Sequence, residues 1–209
     1  YAAVTERNAR TLRTLPPGPV LDYGFGWGDI AWAARATHPD IVGVDVEQRR
    51  VDFARAQYAP IRFERCRPDG LDFPDASFDI VLSVVVLPFV PDDHAYLREI
   101  RRVLRPGGHL VLASKTSPPL TRWWRRLSGR REQDRHPAPG IRHHDAGDAT
   151  RLLHDHGFTI LKRRAFYDPP FEARKNPADL VNGVLQLLGE RLGLIGPAPY
   201  PLFLARRND

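Results

Sequence analysis

Three glycines stand at every second position in the stretch "VLDYGFGWGDIA", residues 20 to 31: Gly24, Gly26 and Gly28. An apolar run precedes them, and helix-like residues follow. Glycine lets a backbone approach a ligand closely and take positive φ. A glycine turn between a first strand and its helix is where α/β folds seat nucleotides. The competing reading is a tight turn that needs glycine for packing alone. Asp45 closes a second apolar run, 21 residues after Gly24. A carboxylate at that place accepts both hydroxyls of a ribose. Its plainer role is an N-cap, and the two are compatible. Together the two signals favour an adenosine-containing ligand. The spacing is G-x-G-x-G, with Asp22 just before it, whereas a dinucleotide fingerprint asks for G-x-G-x-x-G.

Candidates for proton transfer lie in the C-terminal half. "GIRHHDAGD" (140–148) places His143 and His144 just ahead of a helix-like segment. Histidine titrates near neutrality, which suits a general base. "FYDPPF" (166–171) offers Tyr167. Surface exposure, capping or packing is the plainer role for all three. His109, at the start of a buried-looking strand, reads as structural, and His154 and His156 sit near a helix end. No cysteine pair and no close set of histidines and carboxylates has metal-ligand spacing, so no metal is expected. The single cysteine, Cys66, precludes an internal disulfide and fits a reducing, cytoplasmic setting.

The elements that must hold these residues alternate. A helix is expected over 1–14, ended by "LPPGP". Strands follow at 20–23, 41–45, 61–64, 78–86 and 109–113. Helices are expected from the glycine turn to about Thr37, through Val51, Ala54 and Tyr58, and from Asp92 to the "RPGG" at 105–108. Strand–helix alternation with short apolar strands implies a parallel sheet covered on both faces. Beyond it come a helix from about Asp145 to His156 with Gly157 as its stop, a strand at 158–166, a helix over 177–192 and a last strand at 200–207. Residues 114–144 break the rhythm and read as a lid-like insertion.

Composition bounds the rest. The chain has 209 residues, 42% of them hydrophobic, which suits one globular domain over 1–209. No basic-then-apolar leader opens it, so no signal peptide is expected. It begins at Tyr1 and holds no methionine, so the natural start is expected upstream. The net charge is +6, and residues 115–145 carry nearly all of the excess. "LTRWWRRLSGRR" (120–131) sets Trp123 and Trp124 among arginines. Such a segment suits a lid over an acceptor, an anionic membrane surface or, third, RNA bases.

Four stretches in order resemble the class I S-adenosylmethionine (SAM) methyltransferases, in particular the type-11-like, quinone-biosynthesis group. "VLDYGFGWG" is similar to their first motif and "VGVD" to their second. "LDFPDASFDIVLSVVVLPFVPD" (71–92) is similar to their fourth-strand region. "LREIRRVLRPGGHLVLA" (97–113) is similar to the helix, turn and strand that follow. The resemblance implies a Rossmann-like, doubly wound seven-stranded α/β sheet with its last strand antiparallel and a lid insertion after strand five. It implies SAM as cofactor, S-adenosylhomocysteine (SAH) as product, and a small-molecule or lipid-like acceptor.

The resemblance also implies residue roles. Tyr23, Gly24 and Gly26 would lie along the methionine part of SAM, and Asp22 would hold the turn or reach the amino group. Asp45 would take the ribose, Val46 the adenine, and Ser83 would face the methionyl end. Two departures stand out. The family's adenine-binding acid falls on Arg67, leaving Asp69 or the backbone of Gly70 for that task. Pro88 stands where relatives often carry histidine. An NAD-dependent oxidoreductase, an RNA methyltransferase and a non-catalytic SAM-binding partner protein remain as alternatives.

Overall fold

The structure is a computed structural model that describes residues 2–68, 70–114, 146–166 and 200–209. Its elements run α1 (Ala2–Leu12), β1 (Val20–Tyr23), α2 (Asp29–Ala34), β2 (Ile41–Asp45), α3 (Gln48–Gln57), β3 (Arg62–Arg65) and β4 (Phe78–Val84). A 3-10 turn (Leu87–Phe89), α4 (Asp93–Val103), β5 (Leu104–Ala113), α5 (Ala146–Asp155), β6 (Phe158–Phe166) and β7 (Tyr200–Arg207) follow.

One seven-stranded sheet has the order β3-β2-β1-β4-β5-β7-β6. All neighbours pair in parallel except β7, which is antiparallel to both β5 and β6. Strand order reverses between β1 and β4, the crevice where such sheets bind ligands beyond the strands' carboxyl ends.

Side chains alternate across the pleat and feed two cores. Leu21, Val81, Leu110, Leu112 and Phe203 pack with Leu97 and Ile100 of α4 and Leu153 of α5. Val20, Ile80, Leu82, Val111 and Leu204 pack on the other face with Leu12, Ala31, Ala34, Val51 and Ala54 from α1, α2 and α3. Asp92 caps α4, its Oδ1 accepting from the N–H groups of His94 and Ala95.

Two boundaries differ from the pattern. α2 stops at Ala34, where Thr37 N–H and Thr37 Oγ1 both turn back to the Ala34 carbonyl. β5 starts at Leu104, so "RPGG" lies within the strand as an irregularity: Leu104 pairs Phe78, and the register resumes at His109 with Ile80. Gly107 makes that possible at φ +74°. The helix expected over 177–192 and residues 115–144 of the expected insertion lie outside the described residues.

Candidate functional site

The three glycines solve three different problems. Gly24 (φ +76°) follows β1, and its N–H donates to the Val44 carbonyl at 2.7 Å. A Cβ there would lie 2.4 Å from Val86 Cγ2, so Gly24 is needed for close packing as well as for φ. Gly26 (φ +63°) is different: a Cβ would meet no atom within 4 Å, because the backbone faces open space. Gly28 (φ +89°) caps α2 and is seated against Tyr58 and Phe63. Packing explains Gly24 and Gly28, whereas Gly26 has no packing need; both Gly24 and Gly26 line a ligand-sized cavity.

That cavity has a volume of about 500 Å³. It opens at the carboxyl ends of β1, β2 and β4, and Thr5 of α1 reaches its wall. One side is polar and carries Asp22, Asp29, Asp45, Glu47 and Arg50. In a protein of net charge +6, this is an acidic pocket. The other side is apolar: Val84, Val85, Val86, Phe89, Val90 and Pro91, with Tyr96 behind.

Asp45 is buried at 3% exposure and holds the polar side together. Its Oδ2 accepts from Gly26 N–H at 3.0 Å, and its Oδ1 accepts from Glu47 N–H at 3.0 Å. Arg50 Nη1 stands 3.4 Å from the same Oδ2. The N-cap role considered for Asp45 falls instead to Glu47, which caps α3 by accepting from Arg49 N–H. Asp45 therefore faces the cavity, with lone pairs left over for a ligand's hydroxyls.

Asp22 is 1% exposed, and its Oδ2 has no hydrogen-bond partner. Burial first, and then the neighbouring Asp45, push its carboxyl up to about 8. A buried carboxylate on a cavity wall without a donor is a costly group. An ammonium from a ligand would supply the missing donor and charge. Cofactor chemistry fits this wall: SAM brings an ammonium for Asp22, a ribose diol for Asp45 and a positive sulfonium for an acidic pocket.

The other expected residues sort unevenly. Tyr23 and Val46 line the cavity, Tyr23 with its ring centroid 4.6 Å from that of Tyr96, Val46 at 46% exposure. Ser83 does not line it. Ser83 is fully buried, and its hydroxyl bonds Tyr96 OH at 2.8 Å, so Tyr96 occupies the place on the wall expected of Ser83. Gly70 is likewise off the wall, bridged to Arg67, while Cys66 and Pro68 line it. Arg67 turns outward to Asp72 at 3.0 Å. Burial raises the Cys66 thiol to about 11, which makes it wall rather than nucleophile. Asp69, His143, His144 and Tyr167 lie outside the described residues.

His109 is half-buried on β5 and off the cavity wall. Burial, then Arg206, lowers its pKa. The His156 ring lies 5.0 Å from that of His94, tilted by 37°, away from the cavity wall. Among the described residues no group of three potential ligands could hold a metal ion, and no helix is long and apolar enough to cross a membrane.

Sequence reasoning missed Trp27, Asp29, Glu47, Arg50 and the 84–91 wall as cavity residues. Trp27 carried a usable signal: a large aromatic between two glycines of a turn has little core to enter. It is 46% exposed, edge-on to Phe53 at 5.1 Å.

Fold and cavity define a class: the doubly wound α/β proteins that take an adenosine-containing cofactor at the first glycine turn. Residues 21–112 match the family profile described as Methyltransferase domain. The 2-methyl-6-phytyl-1,4-hydroquinone methyltransferase of Synechocystis is 36% identical over 107 residues, 49% of this chain and 34% of that protein. The demethylmenaquinone methyltransferase of Deinococcus radiodurans is 40% identical over 120 residues, 54% of this chain and 50% of that protein. The chain thus spans half or less of the length of these curated relatives. A crystal structure of an S-adenosylmethionine dependent methyltransferase from Mesorhizobium loti superposes with a TM-score of 0.65 at 23% identity, covering 98% of both chains. Over residues 21–112 the chain is thus similar in sequence to the methyltransferase domain, and its sheet shares the fold of that solved structure.

Proposed function

We propose that the protein is an enzyme that moves a methyl group from SAM to a small, quinol-type acceptor. The observation that carries this is the buried, partnerless Asp22 carboxylate set beside Asp45 and the open Gly26 in one cavity. Bound SAM supplies a methyl group already activated by its sulfonium. The chain's task is to hold, align and exclude water. Asp22 holds the ammonium, Asp45 accepts from the ribose hydroxyls, and Val46 lies against the adenine. Gly26 leaves room for the cofactor's passage along the turn. The apolar wall from Val84 to Pro91 orients a flat, uncharged acceptor and keeps water from the methyl group. Alignment of this kind is worth roughly 7–11 kcal/mol of a barrier.

The quinol class is suggested by the two curated relatives, whose names are those of hydroquinone and menaquinone-precursor methyltransferases. It also agrees with an acceptor wall of aliphatic and aromatic side chains. A hydroxyl or ring carbon of a quinol must lose a proton, and His143, His144 and Tyr167 are proposed as the groups that take it. We further assign residues 1–209 to one domain, 114–144 to a lid over the acceptor, and 120–131 to contact with the membrane surface that stores prenylated acceptors. The setting is then cytoplasmic, at the membrane face.

Calorimetric titration with SAM, SAH and NAD, alongside Asp45→Ala, tests the cofactor. Tritium transfer from methyl-labelled SAM to a prenylated 1,4-naphthohydroquinone tests the acceptor. SAM and SAH binding that weakens in the variant, with label in the quinol, is the expected result. NAD binding in their place would mean an oxidoreductase, and SAM binding with no methyl transfer to quinols, phenols, RNA or lipids would mean a binding protein.

A further inference from the structure

Val85 has the wrong backbone for its type. Its φ is +59°, in the region that favours glycine, and a β-branched residue there is a genuine outlier. Among the described residues the only other non-glycine at positive φ is Ala76, in the loop ahead of β4. Strain of this sort persists only where the surroundings impose it, and it gathers at functional sites.

The surroundings of Val85 are those of the cavity. It lines the apolar wall directly after β4. Its N–H donates to the Ala113 carbonyl at 2.7 Å, which pins the reversal to the end of β5. The reversal aims the next side chain at the glycine turn, where Val86 Cγ2 fills the space a Gly24 Cβ would need. From there the Phe89 N–H donates to the Val86 carbonyl at 2.8 Å. Leu87 and Pro88 are buried, and Phe89, 62% exposed, stands on the cavity wall. One strained residue thus determines where the acceptor wall stands relative to the cofactor turn.

We infer that Val85 is a positioning residue for methyl transfer: its left-handed backbone clamps Val86 onto Gly24 and sets the gap in which the acceptor lies. This rests on the methyltransferase reading above. A relaxed φ would swing Val86 off the turn and widen the gap. Misplacement of about 1 Å in such a gap costs on the order of a hundredfold in rate. Glycine at 85 would accept the same φ without strain but would not be confined to it.

The test compares Val85→Gly and Val85→Ala with the parent chain. Three quantities are read: melting temperature, SAH affinity by calorimetry, and kcat and KM for the prenylated naphthohydroquinone. Amide exchange over residues 84–91 is followed in the same proteins. Both variants lose the valine side chain's packing, but Val85→Gly is expected to melt no lower than Val85→Ala, because only glycine sheds the strain. SAH affinity should stay within about twofold, while kcat for Val85→Gly falls about tenfold or more at little change in KM. Amides of Val86 to Phe89 should exchange faster in Val85→Gly.

A Val85→Gly protein that melts below Val85→Ala, or that keeps parental kcat and parental exchange, overturns the proposal. A parent chain that binds no SAM or SAH overturns the methyltransferase reading instead. A parent that binds SAH but leaves the quinol unmethylated overturns only the acceptor. The ordering of melting temperatures and the exchange rates then decide on Val85.

Discussion

The two sides of the cavity are built on opposite principles. The cofactor side, from Asp22 to Gly28 and on to Arg50, is polar, and hydrogen bonds between backbone and side chain hold its shape: Asp45 alone accepts from Gly26 and Glu47. The proposed acceptor side, from Val84 to Pro91, offers hydrocarbon, and its shape comes from a strained turn and buried anchors at Leu87 and Pro88. Directional bonds suit a ligand whose functional groups never change. A wall of aliphatic contacts can be repacked without leaving polar groups unpaired, so it suits the half of the reaction that differs between relatives.

Changes on each side should therefore fail in different ways. The largest effect is expected from Asp45→Ala, which strips two part-buried N–H groups of their acceptor and the ribose of its partner. At about 1–3 kcal/mol for each unsatisfied group, SAM affinity should fall on the order of a hundredfold or more and the melting temperature should drop. Calorimetry with SAH and thermal melts check both, and a variant with parental SAH affinity would remove Asp45 from the site. Next is Gly24→Ala. A left-handed alanine and a Cβ pressed on Val86 together cost about 2–4 kcal/mol, a loss visible in urea unfolding. Gly26→Ala carries only the φ penalty of about 1–2 kcal/mol in the free protein, but it should weaken SAH binding, since its new methyl points into the space left for a ligand.

Asp22→Asn sharpens the comparison through pH. The carboxyl titrates near 8 in the folded protein, against about 3.9 when unfolded. A raised folded pKa means that this contribution to stability is fully present below the unfolded value and is lost as pH rises toward 8. The free parent protein should therefore lose stability between about pH 4 and pH 8, at up to roughly 1.4 kcal/mol per pH unit, and Asp22→Asn should flatten that slope. Urea unfolding across this range reads it. SAM affinity should rise over the same range in the parent as Asp22 gives up its proton, and not in the variant. The smallest effect is expected from Arg50→Ala. Its guanidinium is 45% exposed and 3.4 Å from Asp45, so the change in SAH affinity should stay within about 1 kcal/mol.

Much of the polar side of the cavity was legible in the sequence because its signals are local. Alternating glycines in a strand-to-helix turn and an acid at the next strand's end announce themselves within a few residues of their own backbone. The alternation of short apolar runs with amphipathic helices likewise foretold the parallel sheet, whereas the antiparallel pairing of the strand at 200–207 was implied only by the family resemblance. The misplaced expectations share a different cause. Ser83 stands where the fourth-strand motif leads a reader to put a cofactor contact. Tyr96, 13 residues on and in another element, reaches across and takes its hydroxyl. The capping role open to Asp45 passed to Glu47, which frees the carboxylate for the cavity.

The sequence by itself determined the order of elements, both faces of the sheet and the glycine turn at the cavity, since these follow from periodicity and from what glycine and aspartate do to their own neighbourhood. Only the tertiary structure decided that Asp22 would be buried without a donor, that Val86 would fill the space beside Gly24, and that Val85 would pay for it in backbone strain. Each of these depends on atoms brought together from distant strands: Gly24 and Val86 are 62 positions apart, and no local pattern encodes which side chain will press on which turn.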